Sequence, residues 1–400
     1  MGTVYLHIGT AKTGTTAIQR FLPLNQSKLN QQGFVFAEMP FHFPRIGEGR
    51  NAHFLTMYQE EDEIAKKRWE EGFSTLAEVS KRFDKILLSD ENLWRIHAKE
   101  GFLDTLKTEF GKLNLSVRVI VYFRRQDQMA ESHWNQMVKG KPKLNQSFRE
   151  FVTKGEYADF PLDYDAGLRR LERVFGKENL IVRVYERGQF VDGDLFADFL
   201  DAIGVEYDKE TWAKPEHVVN TRLPENVVEI KRWINSVDAY RAEDVPNFYR
   251  EVIRQAYGLE NQNVVPQQKT GRFSDEARRR YMRRFEEGNA RIAGEYLNRA
   301  NGSLFLEPLT GLPQWHPDGW DMMGDVVRVL AGADVYHYHR CKELQKENKA
   351  LRKKADELEA NLADASRRMA DLERRLNELY NSFPFRMYRA LRGRKNKENA

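Results

Sequence analysis

The sequence predicts an α/β chain built on a largely parallel sheet and followed by a coiled-coil arm. Three observations carry this. Short apolar, β-branched runs at Val4 to Ile8, Ile86 to Leu88, Val117 to Phe123 and Leu180 to Val184 are separated by helix-like segments. Runs that are apolar without alternation suit strands covered on both faces, as in parallel sheets. The first run leads through a Gly/Thr-rich loop into a helical pattern, and past residue 340 the pattern changes to a seven-residue repeat.

Length and composition bound the reading. At ~100 to 200 residues per domain, 400 residues allow two or three folding units. A hydrophobic share of 41% with 12% aromatics excludes a mainly disordered chain. No apolar run approaches the ~18 residues that span a bilayer, and Met1 to Gly9 has neither a basic leader nor a long apolar stretch, so a cytoplasmic location is expected. The single cysteine, Cys341, excludes an internal disulfide framework and fits a reducing compartment; no zinc-ligand spacing is present. The net charge of +4 is local: residues 381–400 carry six basic side chains against Glu398, or +5, which leaves about −1 for the remainder. A near-neutral body gives no ground for nucleic-acid binding.

Taken in order, the strand runs alternate with helices such as Leu195 to Ile203, closed by Gly204 where a left-handed cap costs little. From Glu225 to Leu297 mixed apolar and charged patterns predict helices covering the sheet, and the Gly, Pro and Trp-rich stretch Asn301 to Trp320 predicts an irregular connector. Then Leu344, Leu351, Leu358, Ala365, Leu372 and Leu379 recur every seventh residue, with Asn348, Ala355, Leu362, Met369 and Leu376 interleaved. The first series takes the d positions and the second the a positions of a coiled coil; the competing reading is one long amphipathic helix docked on the body. Leucine at d with Asn348 at a is compatible with a parallel dimer, while Ala and Met at other a positions leave stoichiometry open. The expected division is a catalytic domain over 1–310, a connector over 311–340, a coiled coil for self-association over 341–380 and a basic tail over 381–400. Phe383, Phe385, Met387, Tyr388 and Leu391 lie among that tail's basic residues, so it is either a peripheral contact for the anionic inner membrane surface or a solvated end.

The strongest chemical signal is His7-Ile8-Gly9-Thr10-Ala11-Lys12-Thr13-Gly14-Thr15-Thr16, between a strand and a helix. Glycines let the backbone wrap around tetrahedral oxygens, and the new helix offers unpaired amides and its positive dipole end. A lysine and hydroxyls add donors, so the loop is expected to bind phosphate. It is not the nucleoside-triphosphatase motif, since Lys12 precedes Gly14 and no Gly-Lys-Ser/Thr follows.

Lys12-Thr13-Gly14-Thr15-Thr16 resembles the 5′-phosphosulfate loop of the sulfotransferases, which use 3′-phosphoadenosine 5′-phosphosulfate (PAPS). Val119-Ile120-Val121-Tyr122-Phe123-Arg124, with Ser132 eight residues on, is similar to that family's 3′-phosphate site, although Arg124-Arg125-Gln126-Asp127 replaces the commoner Arg-Asp-Pro. The spacing favours Arg124 over Arg125, and guanidinium and hydroxyl suit phosphate oxygens. A third stretch, Phe175-Gly176 through Tyr185-Glu186 to Gly204, looks like the later strand and helix of that fold, so the resemblance covers about residues 1–310. It fits bacterial members acting on polysaccharide or glycolipid better than animal cytosolic ones, whose closing Arg-Lys-Gly is missing; Lys269-Thr270-Gly271-Arg272 is a candidate replacement. The resemblance implies a P-loop-like sheet, PAPS held by Ala11 to Thr16 with Arg124 and Ser132, Lys12 against the bridging or leaving-group oxygens, no metal, and a carbohydrate or glycolipid acceptor.

For the base, Ser89-Asp90-Glu91 ends a strand and is similar to Ser-Ser-Glu of bacterial members. This makes Glu91 the first candidate, at the edge where α/β sheets bind ligands, unless it serves as a helix cap. His53, after Gly49-Arg50-Asn51-Ala52, is the second, since imidazole titrates near neutrality; Glu38 with His42 is a weaker third. His337 and His339 lack a third metal ligand. Trp94, Trp134, Phe41 and Tyr58 suit either sugar stacking or the core. Two rival functions are a kinase or hydrolase using the same loop with magnesium and ATP or GTP, and a non-enzymatic coiled-coil assembly protein.

Overall fold

The computed structural model describes residues 2–43, 46–47, 49–140, 142–154, 161–215, 225–238, 252, 270–311, 313–382, 384 and 386–388. Strands β1 (Gly2–His7), β2 (Phe34–Phe36), β3 (Lys85–Ser89), β4 (Leu115–Phe123) and β5 (Leu180–Val184) form one sheet in the order β2-β3-β1-β4-β5. All its pairings are parallel, with Val4 against Ile86 on one side and Val117 on the other.

Helices α1 (Thr15–Leu24), α2 (Gln26–Gln31), α3 (Glu63–Ser80), α4 (Asn92–Ile96), α5 (Phe102–Lys112), α6 (Gln126–Lys139), α7 (Phe148–Lys154), α8 (Tyr164–Phe175) and α9 (Leu195–Ile203) connect and cover the strands. They are followed by α10 (Glu225–Ile234), α11 (Asp275–Met282), α12 (Glu286–Leu297) and α13 (Gly319–Asn381). This is the P-loop-like α/β arrangement expected from the sequence, with a long C-terminal helix. Successive strand side chains point to opposite faces: Val4, Leu6 and Leu88 join a core with Trp94, Phe54 and Leu168, while Tyr5, Leu87 and Ile120 pack with Ile18, Phe21 and Leu200. Apolar cover on both faces explains why the strand runs do not alternate.

The irregular stretch after α12 ends at Asp318, two residues before the expected Trp320, and the helix that follows runs through 319–340. The Asp318 carboxylate accepts from the amides of Trp320 and Asp321, 3.0 and 3.1 Å, and so caps the start of α13. The chain divides into two compact units, one carrying the sheet and its helices as far as Val326, the other most of α13. No helix among the described residues is long and apolar enough to cross a membrane. Of the tail, Phe383, Phe385 and 389–400 lie outside the described residues.

Candidate active site

Strand β1 delivers the chain to the carboxyl edge of the sheet between β3 and β4, where the strand order reverses and α/β folds bind ligands. The loop is tied to β4: Thr10 N donates to the Tyr122 carbonyl and Tyr122 N to the Gly9 carbonyl, 3.0 and 2.7 Å. Gly9, Lys12 and Gly14 all have positive φ. At Gly14 a φ of 76° favours glycine, and a Cβ there would also push Leu195 Cδ2, 2.4 Å away, aside. The Gly14 carbonyl accepts from the amides of Ala17 and Ile18. The Thr15 and Thr16 amides have no acceptor among the described residues, which leaves the open N-terminus that an anion needs. Ala11 is half-buried and Thr16 exposed; Thr13 is buried and its hydroxyl donates to the Thr10 carbonyl at 2.6 Å, shaping the loop rather than facing outward.

Two cations meet at this loop. Arg124, just past β4, directs Nη1 to the Lys12 carbonyl at 3.3 Å and Nε to Gln128 Oε1 at 3.2 Å. Lost hydration lowers the Lys12 ammonium pKa from its ordinary value; Glu91 opposes the shift and Arg124 adds to it. Two like charges at a helix N-terminus repel each other, and at Lys12 the Glu91 carboxylate opposes this.

The neighbouring arginine has a different task. Arg125 is 2% exposed and grips Asp127 with two bonds, 2.7 and 3.1 Å, and the carbonyls of Glu307 and Pro308 with Nη1. Arg124 is thus the one beside the loop. Ser132 sits half-buried in the second turn of α6. Arg272 turns inward: it pairs with Glu225 and Glu229 and lies between the Trp134 and Trp315 rings, so it does not supply a second phosphate clamp. Lys269 lies outside the described residues.

Glu91 backs the loop, its Cα being 3.1 Å from where a Cβ on Gly9 would stand. Its Oε2 accepts from Gln19 Nε2 at 3.0 Å, and its Oε1 lies 3.4 Å from Arg50 Nη1. Gln19 also donates to Ser89 Oγ, which contacts His7 Nδ1 at 2.9 Å. His53 is joined to the same cluster through Asp90. The buried Asp90 carboxylate takes Arg50 Nε and Nη2 at 2.9 and 2.7 Å and His53 Nδ1 at 2.9 Å. Burial would raise the Asp90 pKa, but bonds from His53 and Arg50 outweigh it and hold the carboxyl below its usual value. An ionised Asp90 can only accept, so its 2.9 Å contact orients His53 through Nδ1, from which Arg50 Nη2 lies 3.3 Å away.

Segment 49–57 reaches this place because Asn51 bridges strand ends. Its Nδ2 donates to the Ala37 and Leu87 carbonyls while Ser89 N donates to its Oδ1. Gly49 packs so closely on α1 that a Cβ would stand 2.0 Å from the Gln19 carbonyl. Lys12, Arg124, Glu91 and His53 are therefore gathered at one edge, whereas Glu38 and His42 are exposed on the segment after β2. Trp94, Trp134 and Phe41 are core residues, and Tyr58 packs half-buried against Phe102. The sequence reading gave no role to Asp90, Arg50 or Gln19; the signals were Asp90 beside Glu91 in the quoted Ser89-Asp90-Glu91 and an arginine three residues before His53.

No family model matches the chain. A protein of Archaeoglobus fulgidus, described only as uncharacterized, is 29% identical over 220 residues, 53% of this chain; the match spans 56% of that relative's length. The crystal structure of a sulfotransferase from Alicyclobacillus acidocaldarius aligns with 60% of this chain and 99% of its own, at 16% identity and a TM-score of 0.35. Neither likeness is close enough to assign a function.

Proposed function

We propose that this chain transfers a sulfonate group from PAPS to a hydroxyl of a carbohydrate or glycolipid acceptor. The observation that carries the reading is the meeting of Lys12 and Arg124 at the open start of α1, with the Glu91 carboxylate beside them and no Gly-Lys-Ser/Thr motif. The loop amides and Lys12 suit the phosphosulfate, and Arg124 with Ser132 suits the 3′-phosphate.

In the reaction the acceptor oxygen bonds to sulfur, the bond from sulfur to the bridging phosphate oxygen breaks, and the acceptor proton passes to a base. The products are a sulfate ester and adenosine 3′,5′-bisphosphate. Lys12 offsets the charge growing on the leaving oxygen, and Arg124 holds the nucleotide in place. Glu91, against the loop, is assigned as the base. His53, with Asp90 fixing its ring, is the competing candidate.

The test is incubation of the full chain with PAPS and a mixture of polysaccharide and glycolipid acceptors in the presence of a chelator. Sulfate ester and adenosine 3′,5′-bisphosphate should appear in equal amounts. Magnesium-dependent ATP or GTP turnover without any use of PAPS would overturn the assignment.

A further inference from the structure

Helix α13 carries an apolar stripe that is exposed among the described residues. The d leucines from Leu344 to Leu379 are 46–67% exposed, and Leu362, Met369 and Leu376 at a are 62–69% exposed. Val327 and Leu330 extend the same register upstream and are also exposed, with Asp334 and His337 as a polar step between. A stripe repeating every seven residues drifts ~20° per heptad around a straight helix, so only a partner that winds with it can follow it over this length. A flat protein surface does not ask for that repeat; another helix does.

The charges beside the stripe identify which helix. In a parallel, in-register pair each g residue faces the e residue five places on in the other copy. That sets Glu347 against Arg352, Lys354 against Glu359 and Arg368 against Glu373, and each of these pairs has opposite signs. An antiparallel pair with Cys341 opposite Leu379 sets Lys354 beside Arg368 and Glu359 beside itself, with only Glu347 beside Arg375 of opposite sign. The ion pairs these side chains make within the helix, such as Arg368 with Asp364, are on the exposed surface and compete weakly. Asn348, at a, meets its own copy only in the parallel register, where a buried polar pair fixes alignment.

We propose that residues 327–379 of α13 pair in parallel and in register with the same segment of a second copy of this chain, as a two-stranded coiled coil. Cys341, exposed and at an a position, then faces Cys341 of the other copy and reports the register. Diamide tests it, because it accepts two electrons and two protons from two thiols as one disulfide forms. Light scattering of the full chain before oxidation should give twice the chain mass of 47.0 kDa. Diamide should then give a covalent dimer that Cys341→Ser abolishes.

Co-expressing the parent with Cys341→Ser/Leu379→Cys should give links only between like chains. A link from Cys341 to the new thiol at 379 would mean antiparallel pairing and overturn the proposal, as would the mass of one, three or four chains. Reversing charge with Glu347→Lys/Glu359→Lys should weaken the dimer by about tenfold or more, and adding Arg352→Glu/Lys354→Glu should restore it. Failure of the second pair to restore it would contradict the register.

Discussion

Lys12 and Arg124 share one loop but differ in what their loss should do. In the proposed reaction Lys12 offsets the charge on the leaving oxygen, so Lys12→Ala should lower turnover by ~10²-fold or more with the fold intact. Arg124→Ala should mainly raise the KM for PAPS and weaken product binding. Near-normal turnover of Lys12→Ala at saturating PAPS would refute the role. Glu91→Gln keeps the Arg50 and Gln19 contacts sterically possible while removing the basic electron pair, so turnover should drop by ~10²- to 10⁴-fold with product binding unchanged. If Glu91→Gln stays active and His53→Ala does not, the base is His53 and Asp90 its positioning residue.

Two other histidines govern acid stability. Burial lowers His7 to about 3, with Asp90 opposing, and His97 to about 4, with its bond to the Trp94 carbonyl opposing. Both stay neutral in the fold and regain protons on unfolding, so their contribution is complete above about pH 6.5 and is lost as pH falls toward 4. Denaturant midpoints measured across that range should decline, and less steeply in His97→Asn, which keeps a donor for Trp94. An unchanged slope would contradict the assignment. At this scale the Lys12 loop was legible in the sequence because its parts are consecutive. The Arg50–Asp90–His53 cluster was not, because it depends on Asn51 drawing a distant segment across two strand ends.

Among the elements, α9 was readable to its last residue, since its apolar period ends at Gly204 in a left-handed cap. Strand β2, three residues long at the edge of the sheet, was not read; Phe34–Phe36 is too short to show a period. The end of the Gly, Pro and Trp-rich stretch, read at Trp320, lies within two residues of the Asp318 cap, whereas the helix was recognised as one only from its heptads. A buried triad links further elements: Asp127 at the head of α6 binds Arg125 and, at 3.0 Å, Arg278 of α11. All three side chains are at most 3% exposed. Asp127→Ala would leave the buried Arg125 with only backbone carbonyls and Arg278 with Asp275, 3.2 Å away, as its one remaining carboxylate, which should destabilise the chain by ~3 kcal/mol. A loss under about 1 kcal/mol in equilibrium unfolding would show that the arginines find other partners.

For the whole molecule, the sheet brings together loops that lie far apart in sequence. His7 to Thr16, 49–57, Ser89 to Glu91 and Arg124 reach one edge because β3, β1 and β4 are neighbours with their carboxyl ends together. The proposed activity requires that edge to bind a 3′-phosphorylated adenosine nucleotide without a metal. Calorimetric titration of the full chain with adenosine 3′,5′-bisphosphate in a chelator measures this directly. The predicted result is one tight site per chain that survives Glu91→Gln and is strongly weakened by Arg124→Ala. Absence of binding under these conditions, with ATP or GTP bound only when magnesium is supplied, would contradict it.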